Sequence, residues 1–335
     1  LSKWPYSVEH VQIRGPSAVS RSLVLPASTA TGELGDGLAV RIGLLQLTVS
    51  PLGLYPNRKN GDDPDFDPVV VPRSTIIDGS DEGEEPWPAR VADLVDRWGR
   101  FQKHLEMKDG PITINLAVTR TASWGTFRKV LGAVDPMDET TYRLLVRSVD
   151  SYSAPISGFV NTAAEPVHFS ADDTGADSKT AAETEQERQQ EGDGEETQEV
   201  ESAQNPPTEL RITMHSEGVE LRVDGERLAP RERCANWGIT VCRTNDADAD
   251  ALIEESRQEQ RDGRLEEAER YFRQIMRTYD WKTLAERLET LEQKHPGPRV
   301  VRVDAEDDVP FSVVYRAFDR AKRTGFETAV LDADI

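Results

Sequence analysis

Long apolar runs are missing from this chain of 335 residues. It has no stretch of about 18 consecutive apolar residues, which excludes a membrane-spanning helix within it. Positive charge is also in short supply: 40 Lys and Arg stand against 61 Asp and Glu, a formal net charge of −21. Nucleic-acid binding depends on cations that neutralise phosphates, so this balance excludes nucleic acid as an expected partner. Cysteine is reduced to two residues, Cys234 and Cys242, with no CxxC pair and no second ligand pair for zinc or redox chemistry.

Histidine is equally sparse. His10, His104, His168, His215 and His295 occupy unrelated contexts, and none has HExxH or Cys-His spacing. His295 reads as a cation at a helix C-terminus, where the dipole favours it. Asp246, Asp248 and Asp250 have the alternate spacing of a calcium loop. Ala251, however, stands where that loop needs Gly, and Arg257 where it needs a bidentate Glu. A solvated helix start is the expected reading. The acidic residues lie in solvated runs, not as the facing carboxylate pair that a glycosidase needs. No catalytic residue, metal set or cofactor site is expected, and the chain does not read as an enzyme.

What the sequence does have is a sharp change of composition. The stretch running through ADDTGADSKTAAETEQERQQEGDGEETQEVESAQNPP has almost no large apolar residue. It cannot bury enough surface to offset the entropy of ordering. Residues 161–207 therefore read as a disordered acidic linker between an ordered region at 23–160 and another at 208–335, with 1–22 a separate N-terminal segment. That segment opens LSKWPYSVEHVQIRG, without an initiator Met or a signal peptide's apolar core, as expected of a processed or excised soluble part.

The second region begins with a hairpin pattern. Leu210, Ile212 and Met214 alternate with polar residues, then Val219, Leu221 and Val223 do so after Glu217-Gly218. An insertion follows at 229–280. WKTLAERLETLEQKHPG places Trp281, Leu284, Ala285, Leu288 and Leu291 on one helix face, and His295-Pro296-Gly297 ends the helix. PRVVRVDA reads as a strand. VPFSVVYRAFDRAKRTGF then stacks Phe311, Val314, Tyr315 and Phe318 on one side of a helix, with Pro310 in its first turn and Gly325 at its end. FETAVLDAD is the last strand.

The same order recurs in the first region. LLQLTVSPLGLYPN predicts a strand with Leu45, Leu47 and Val49 alternating, followed by a Gly-centred turn. ARVADLVDRWGRFQKHLEMKDG predicts a helix burying Val91, Leu94, Val95, Trp98, Phe101 and Leu105. PITINLAV matches PRVVRVDA, each opened by a Gly-Pro pair, Gly110-Pro111 and Gly297-Pro298. Trp124, Phe127, Leu131 and Val134 repeat the buried face of Phe311, Val314, Phe318 and Ala321. The expected fold is α+β: two copies of a ββαβαβ unit, each with helices on one face of a mixed sheet. Within the insertion, Leu265, Ala268, Tyr271, Phe272 and Ile275 form an apolar stripe that is expected to pack on its own domain.

VVRVDAEDDVPFSVVYRAFDRAKRTGF resembles the C-terminal signature of the ExbD/TolR family, carried by Val309, Pro310, Phe311, Gly325 and Phe326. Arg21-Ser22-Leu23-Val24-Leu25-Pro26 is similar to the segment by which family members leave the membrane. The first copy departs from the signature, with Ala122-Ser123-Trp124 in place of Val-Pro-aromatic, and VEHVQIRGPSAVSRS is too polar for the family's membrane helix.

The resemblance implies a periplasmic coupling or binding module, at the inner membrane, of a proton-driven biopolymer transport system. It implies an ExbB/TolQ-like motor subunit as partner, reached through a membrane helix absent from this chain, and a TonB/TolA-like protein or peptidoglycan as the engaged target. It also implies dimers, so an internal pseudo-dimer or a homodimer is expected. A periplasmic site makes a Cys234–Cys242 disulfide the expected state. The alternative is a structural scaffold of the cell envelope without coupling to an ion gradient.

Overall fold

The computed structural model describes residues 25–28, 37–52, 68–78, 85–104, 112–134, 140–148, 162–169, 208–230, 234, 238–244, 249–295, 299–326 and 328–332. In the first half the strands are β1 (Ala27–Ser28), β2 (Gly37–Ile42), β3 (Gln46–Leu52), β4 (Val69–Pro72), β5 (Ile112–Val118), β6 (Thr140–Ser148) and β7 (Thr162–Phe169). The helices are α1 (Arg73–Asp78), α2 (Trp87–His104) and α3 (Trp124–Val134). The second half contains β8 (Thr208–His215), β9 (Gly218–Val223), β10 (Glu226–Arg227), β11 (Val241–Cys242), β12 (Arg299–Ala305) and β13 (Thr328–Leu331). Its helices are α4 (Ala249–Arg261), α5 (Leu265–Thr278), α6 (Trp281–Lys294) and α7 (Phe311–Arg323).

One topology occurs twice. The first half has strand order β3-β2-β5-β6 and the second β9-β8-β12-β13. In each, the hairpin is antiparallel and the next two pairings are parallel. Parallel neighbours require a crossover, which α2 and α3 supply in one half, and α6 and α7 in the other. The apolar spacing explains the packing. Leu210, Ile212 and Met214 are buried from β8, Val219, Leu221 and Val223 from β9, and Phe311, Val314, Tyr315 and Phe318 from α7. Strand β5, flanked on both sides, is buried over almost its whole length. Its Ile112, Ile114, Leu116 and Val118 enter the main core, while Ala117 meets Leu25 and Leu145 in a small separate cluster.

Three expectations are corrected. The first hairpin turns at Gly43–Leu45, closed by the Gly43 N–H donating to the Gln46 carbonyl at 2.9 Å, so LLQLTVS holds its second strand and not its first. Leu45 lies in that turn, 51% exposed, while Leu47 and Val49 are buried. The linker placed at 161–207 begins too early, because Thr162–Phe169 forms β7, antiparallel to β6 and parallel to β13. Backbone pairing to two strands orders a segment whose side chains give little signal. It also tolerates Pro166, since β13 pairs with β7 only at His168 and Phe169. Pro310 is the N-cap residue of α7, not a first-turn residue. Residues 1–24, the Gly-Pro pairs, Leu105 and the remaining acidic linker lie outside the described residues.

Candidate binding cleft at the paired turns

The turn after β5 and the turn after β12 meet each other. Ser123 and Pro310 form an antiparallel bridge. The Trp124 N–H donates to the Val309 carbonyl at 2.9 Å, and the Phe311 N–H donates to the Ala122 carbonyl at 2.7 Å. One step further out, the Gly125 N–H donates to Asp307 and the Ser312 N–H to Arg120, at 2.9 and 3.2 Å. One numbering offset relates Trp124 to Phe311, Ala122 to Val309, Gly125 to Ser312 and Arg120 to Asp307. Each bond therefore has a counterpart with the two halves exchanged, which is the pattern of an isologous contact.

Side chains close the junction. Trp124 from α3 stacks on Phe311 from α7 at a centroid separation of 6.2 Å, Phe127 meets the same ring tilted at 4.8 Å, and Tyr315 and Phe318 continue the row. The Trp124 indole N–H reaches Asp304 Oδ1 at 3.0 Å. Space at Gly125 is so tight that a Cβ there would lie 2.7 Å from the Asp307 carboxyl carbon. Val309 and Phe311 thus sit at the junction, while Phe326 is buried and Gly325, at φ +90°, ends α7 in the left-handed region.

The two-helix insertion crosses over to the other half. The Arg257 guanidinium donates twice to the Thr121 carbonyl, at 3.1 and 3.0 Å. The Thr121 hydroxyl donates to the Gln260 side chain at 3.2 Å. Arg120, 6% exposed, pairs with Glu269 and lies 4.3 Å from the Phe272 ring centroid. The α5 stripe lies against its own domain, where the Ser256 hydroxyl of α4 donates to the Ala268 carbonyl at 2.9 Å, and its Phe272 also meets Arg120 of the first half. A buried guanidinium and bare turn carbonyls need partners, and the insertion supplies them to the first half.

Beside this junction lies a cleft of about 730 Å³, lined by Leu25, Pro26 and Arg120 of the first half and by α5, α7 and the start of α6. Its cations are Arg120, Arg273, Arg277, Lys282, Arg316, Arg320 and Arg323, against Glu269, Asp280 and Asp319. Those carboxylates are engaged. Glu269 holds Arg120, Asp319 holds Arg323 at 2.8 Å, and Asp280 caps α6 through the Thr283 N–H at 2.9 Å. Arg316 stacks 4.8 Å over Trp281. Burial, then the neighbouring Arg320, pushes the Arg316 guanidinium below its ordinary pKa. Burial drives the Tyr279 hydroxyl up to about 12, so it remains a neutral donor, here to the His215 carbonyl at 3.0 Å.

The residues singled out from the sequence scatter around this cleft. Cys234 and Cys242 are joined in a disulfide with Cα atoms 5.4 Å apart, next to β9 and away from the cleft lining. His215 faces two carboxylates, 2.9 Å from Glu306 and 3.4 Å from Glu220, and His295 caps α6. His168 lies in β7 and His104 ends α2. His10, Asp246 and Asp248 lie outside the described residues, and Asp250 is in the first turn of α4. Among the described residues no group of three His, Cys, Asp or Glu is placed to hold a metal ion, and no helix is long and apolar enough to cross a membrane.

Sequence reading missed the cleft arginines. Their signal was present, as basic residues at i, i+4 and i+7 in α7 (Arg316, Arg320, Arg323) and at i, i+4 in α5 (Arg273, Arg277) of an acidic chain. No family model, curated protein or solved structure matches this chain.

Proposed function

We propose that this chain is a non-catalytic coupling and binding module of the ExbD/TolR type, working on the periplasmic side of an inner membrane in a proton-driven biopolymer transport system. In this reading its two copies form an internal pseudo-dimer. The observation that carries it is the reciprocal pairing of the turns, in which the Val-Pro-Phe signature of one copy meets the Ala-Ser-Trp of the other through exchange-related backbone bonds. A module built as two like halves suits the symmetric assembly that the family resemblance implies. Its partners are then an ExbB/TolQ-like motor subunit and a TonB/TolA-like protein or peptidoglycan.

The mode of engagement is strand addition at the outer edge formed by β4. That end of the strand order carries Val70, 46% exposed, with Leu45 and Ile77, each 51% exposed, in the adjoining turn and helix. Among the described residues β4 ends the strand order, and a sheet edge with apolar side chains is the surface that an extended segment completes.

The test is a photo-crosslinking residue at Val70 in the native host, with fractionation and mass spectrometry of the adducts. The expected result is a periplasmic-side protein crosslinked to an energy-transducing protein or a motor subunit. Recovery in the cytosol with only cytosolic adducts overturns the reading. Adducts to the cell wall alone, unchanged when the motor gene is deleted, replace it with the scaffold.

A further inference from the structure

The cleft beside the paired turns has a charge opposite to that of the molecule. In a chain of net charge −21 its lining is predominantly cationic, and each of its three carboxylates already has a partner within the fold. A concave wall of one sign focuses potential and draws in the opposite charge. Arg277 and Arg320 line this space from α5 and α7, as does Arg316, held over the Trp281 ring.

We infer that this cleft receives a short acidic segment of a partner protein, its carboxylates against Arg277, Arg316 and Arg320 and an apolar side chain against Met276 and Trp281. Guanidinium groups bind carboxylates as paired N–H donors and retain their charge when partly desolvated. Methionine and aromatic side chains supply an adaptable apolar surface for an anchor residue.

Three features favour a peptide over a larger polyanion. The volume is that of a site for a few side chains, within the usual range of about 300–1,000 Å³ for pockets. The acidic remainder of the chain repels nucleic acid or an anionic bilayer that would extend past the rim. The floor mixes apolar groups with the cations, whereas a phosphate-tracking groove would be polar throughout. The inference rests on the charge and shape of the cleft alone and stands or falls separately from the transport reading.

The experiment is fluorescence anisotropy with the full chain and a fluorescein-labelled peptide in which Asp and Glu flank a central Leu-Phe pair. Saturable binding is expected, weakening steeply as salt shortens the Debye length from about 10 Å at 0.1 M to about 3 Å at 1 M. Arg277→Glu combined with Arg320→Glu should weaken it by about tenfold or more. Arg277→Gln with Arg320→Gln should weaken it less, and Arg100→Glu, on the exposed face of α2, should leave it unchanged. Circular dichroism and thermal melting check that each variant is folded.

A Lys-substituted peptide should not bind. Absence of saturation up to about 1 mM, the upper end of weak binding, overturns the proposal, as does binding indifferent to the paired substitutions. Equal affinity for a single-stranded oligonucleotide or phosphatidylserine vesicles overturns it in favour of a general polyanion site.

Discussion

Between hairpin and first crossover helix, the two halves carry different insertions at the same point of the same topology. The first half holds β4 and α1 there, and α1 packs on its own half, where Lys129 of α3 donates to the Ile76 and Ile77 carbonyls at 3.3 and 3.1 Å. The second half holds a disulfide-closed loop and the α4–α5 hairpin, which reaches across to Thr119, Arg120 and Thr121. The shared ββαβαβ frame therefore makes the junction nearly symmetric, and the insertions break that symmetry. The basic cleft exists on the side where α5 crosses over.

The largest expected effect comes from the junction itself. Phe311→Ala removes a fully buried ring that touches both Trp124 and Phe127 and should cost about 3–5 kcal/mol. Trp124→Ala should cost a similar amount. If the halves are joined as one unit, the double variant will depart from additivity in urea denaturation, because contacting residues couple. Additive losses would mean that the halves unfold independently.

The disulfide tests the second half alone. It closes a loop with a sequence separation of 8, for which chain-entropy arguments give about 2–3 kcal/mol. The paired change Cys234→Ala and Cys242→Ala should lower stability by that amount in the same urea measurement, with peptide binding retained, since neither residue lines the cleft.

Glu269→Ala probes the crossing contact. It leaves the buried Arg120 without its carboxylate and should cost roughly 1–3 kcal/mol. Hydrogen exchange should rise at Thr119–Ser123 before it rises in β12. Unchanged exchange there would show that the insertion is not what holds the first turn.

The smallest effect is acid sensitivity confined to the second half. Burial pushes the Glu220 and Glu306 carboxyls up. Hydrogen bonds and charge from Arg222 and Arg227 on Glu220, and from His215 and the Ser216 N–H on Glu306, outweigh burial and hold both below their ordinary values. A depressed carboxylate contributes stability above its unfolded pKa of about 4.3, and that stability is lost as pH falls through the folded value. The urea midpoint should therefore drop as pH falls below the unfolded glutamate value of about 4.3. Glu220→Gln should flatten that drop.

Much of the frame was legible in the sequence because it rests on local periodicity. The hairpin of β8 and β9 follows from alternation around Gly218, and the buried faces of α3 and α7 follow from helical spacing of aromatic and aliphatic residues. Leu45 misled because alternation does not say where a turn falls. β7 escaped because TAAEPVHF is ordered by backbone pairing to β6 and β13, strands far from it in character and, for β13, in sequence. The cleft escaped because its cations come from separate helices, and composition reports only that the chain is acidic.

By itself, then, the amino-acid order determined two like sheet-and-helix units, the faces that each element buries and the deficit of positive charge. The tertiary structure alone decided that the two turns exchange hydrogen bonds, that α5 serves the opposite half, and that scattered arginines converge on one concavity. The physical reason is range: periodicity acts between residues a few positions apart, whereas Trp124 and Val309, or Arg120 and Glu269, meet only after both halves have folded and docked.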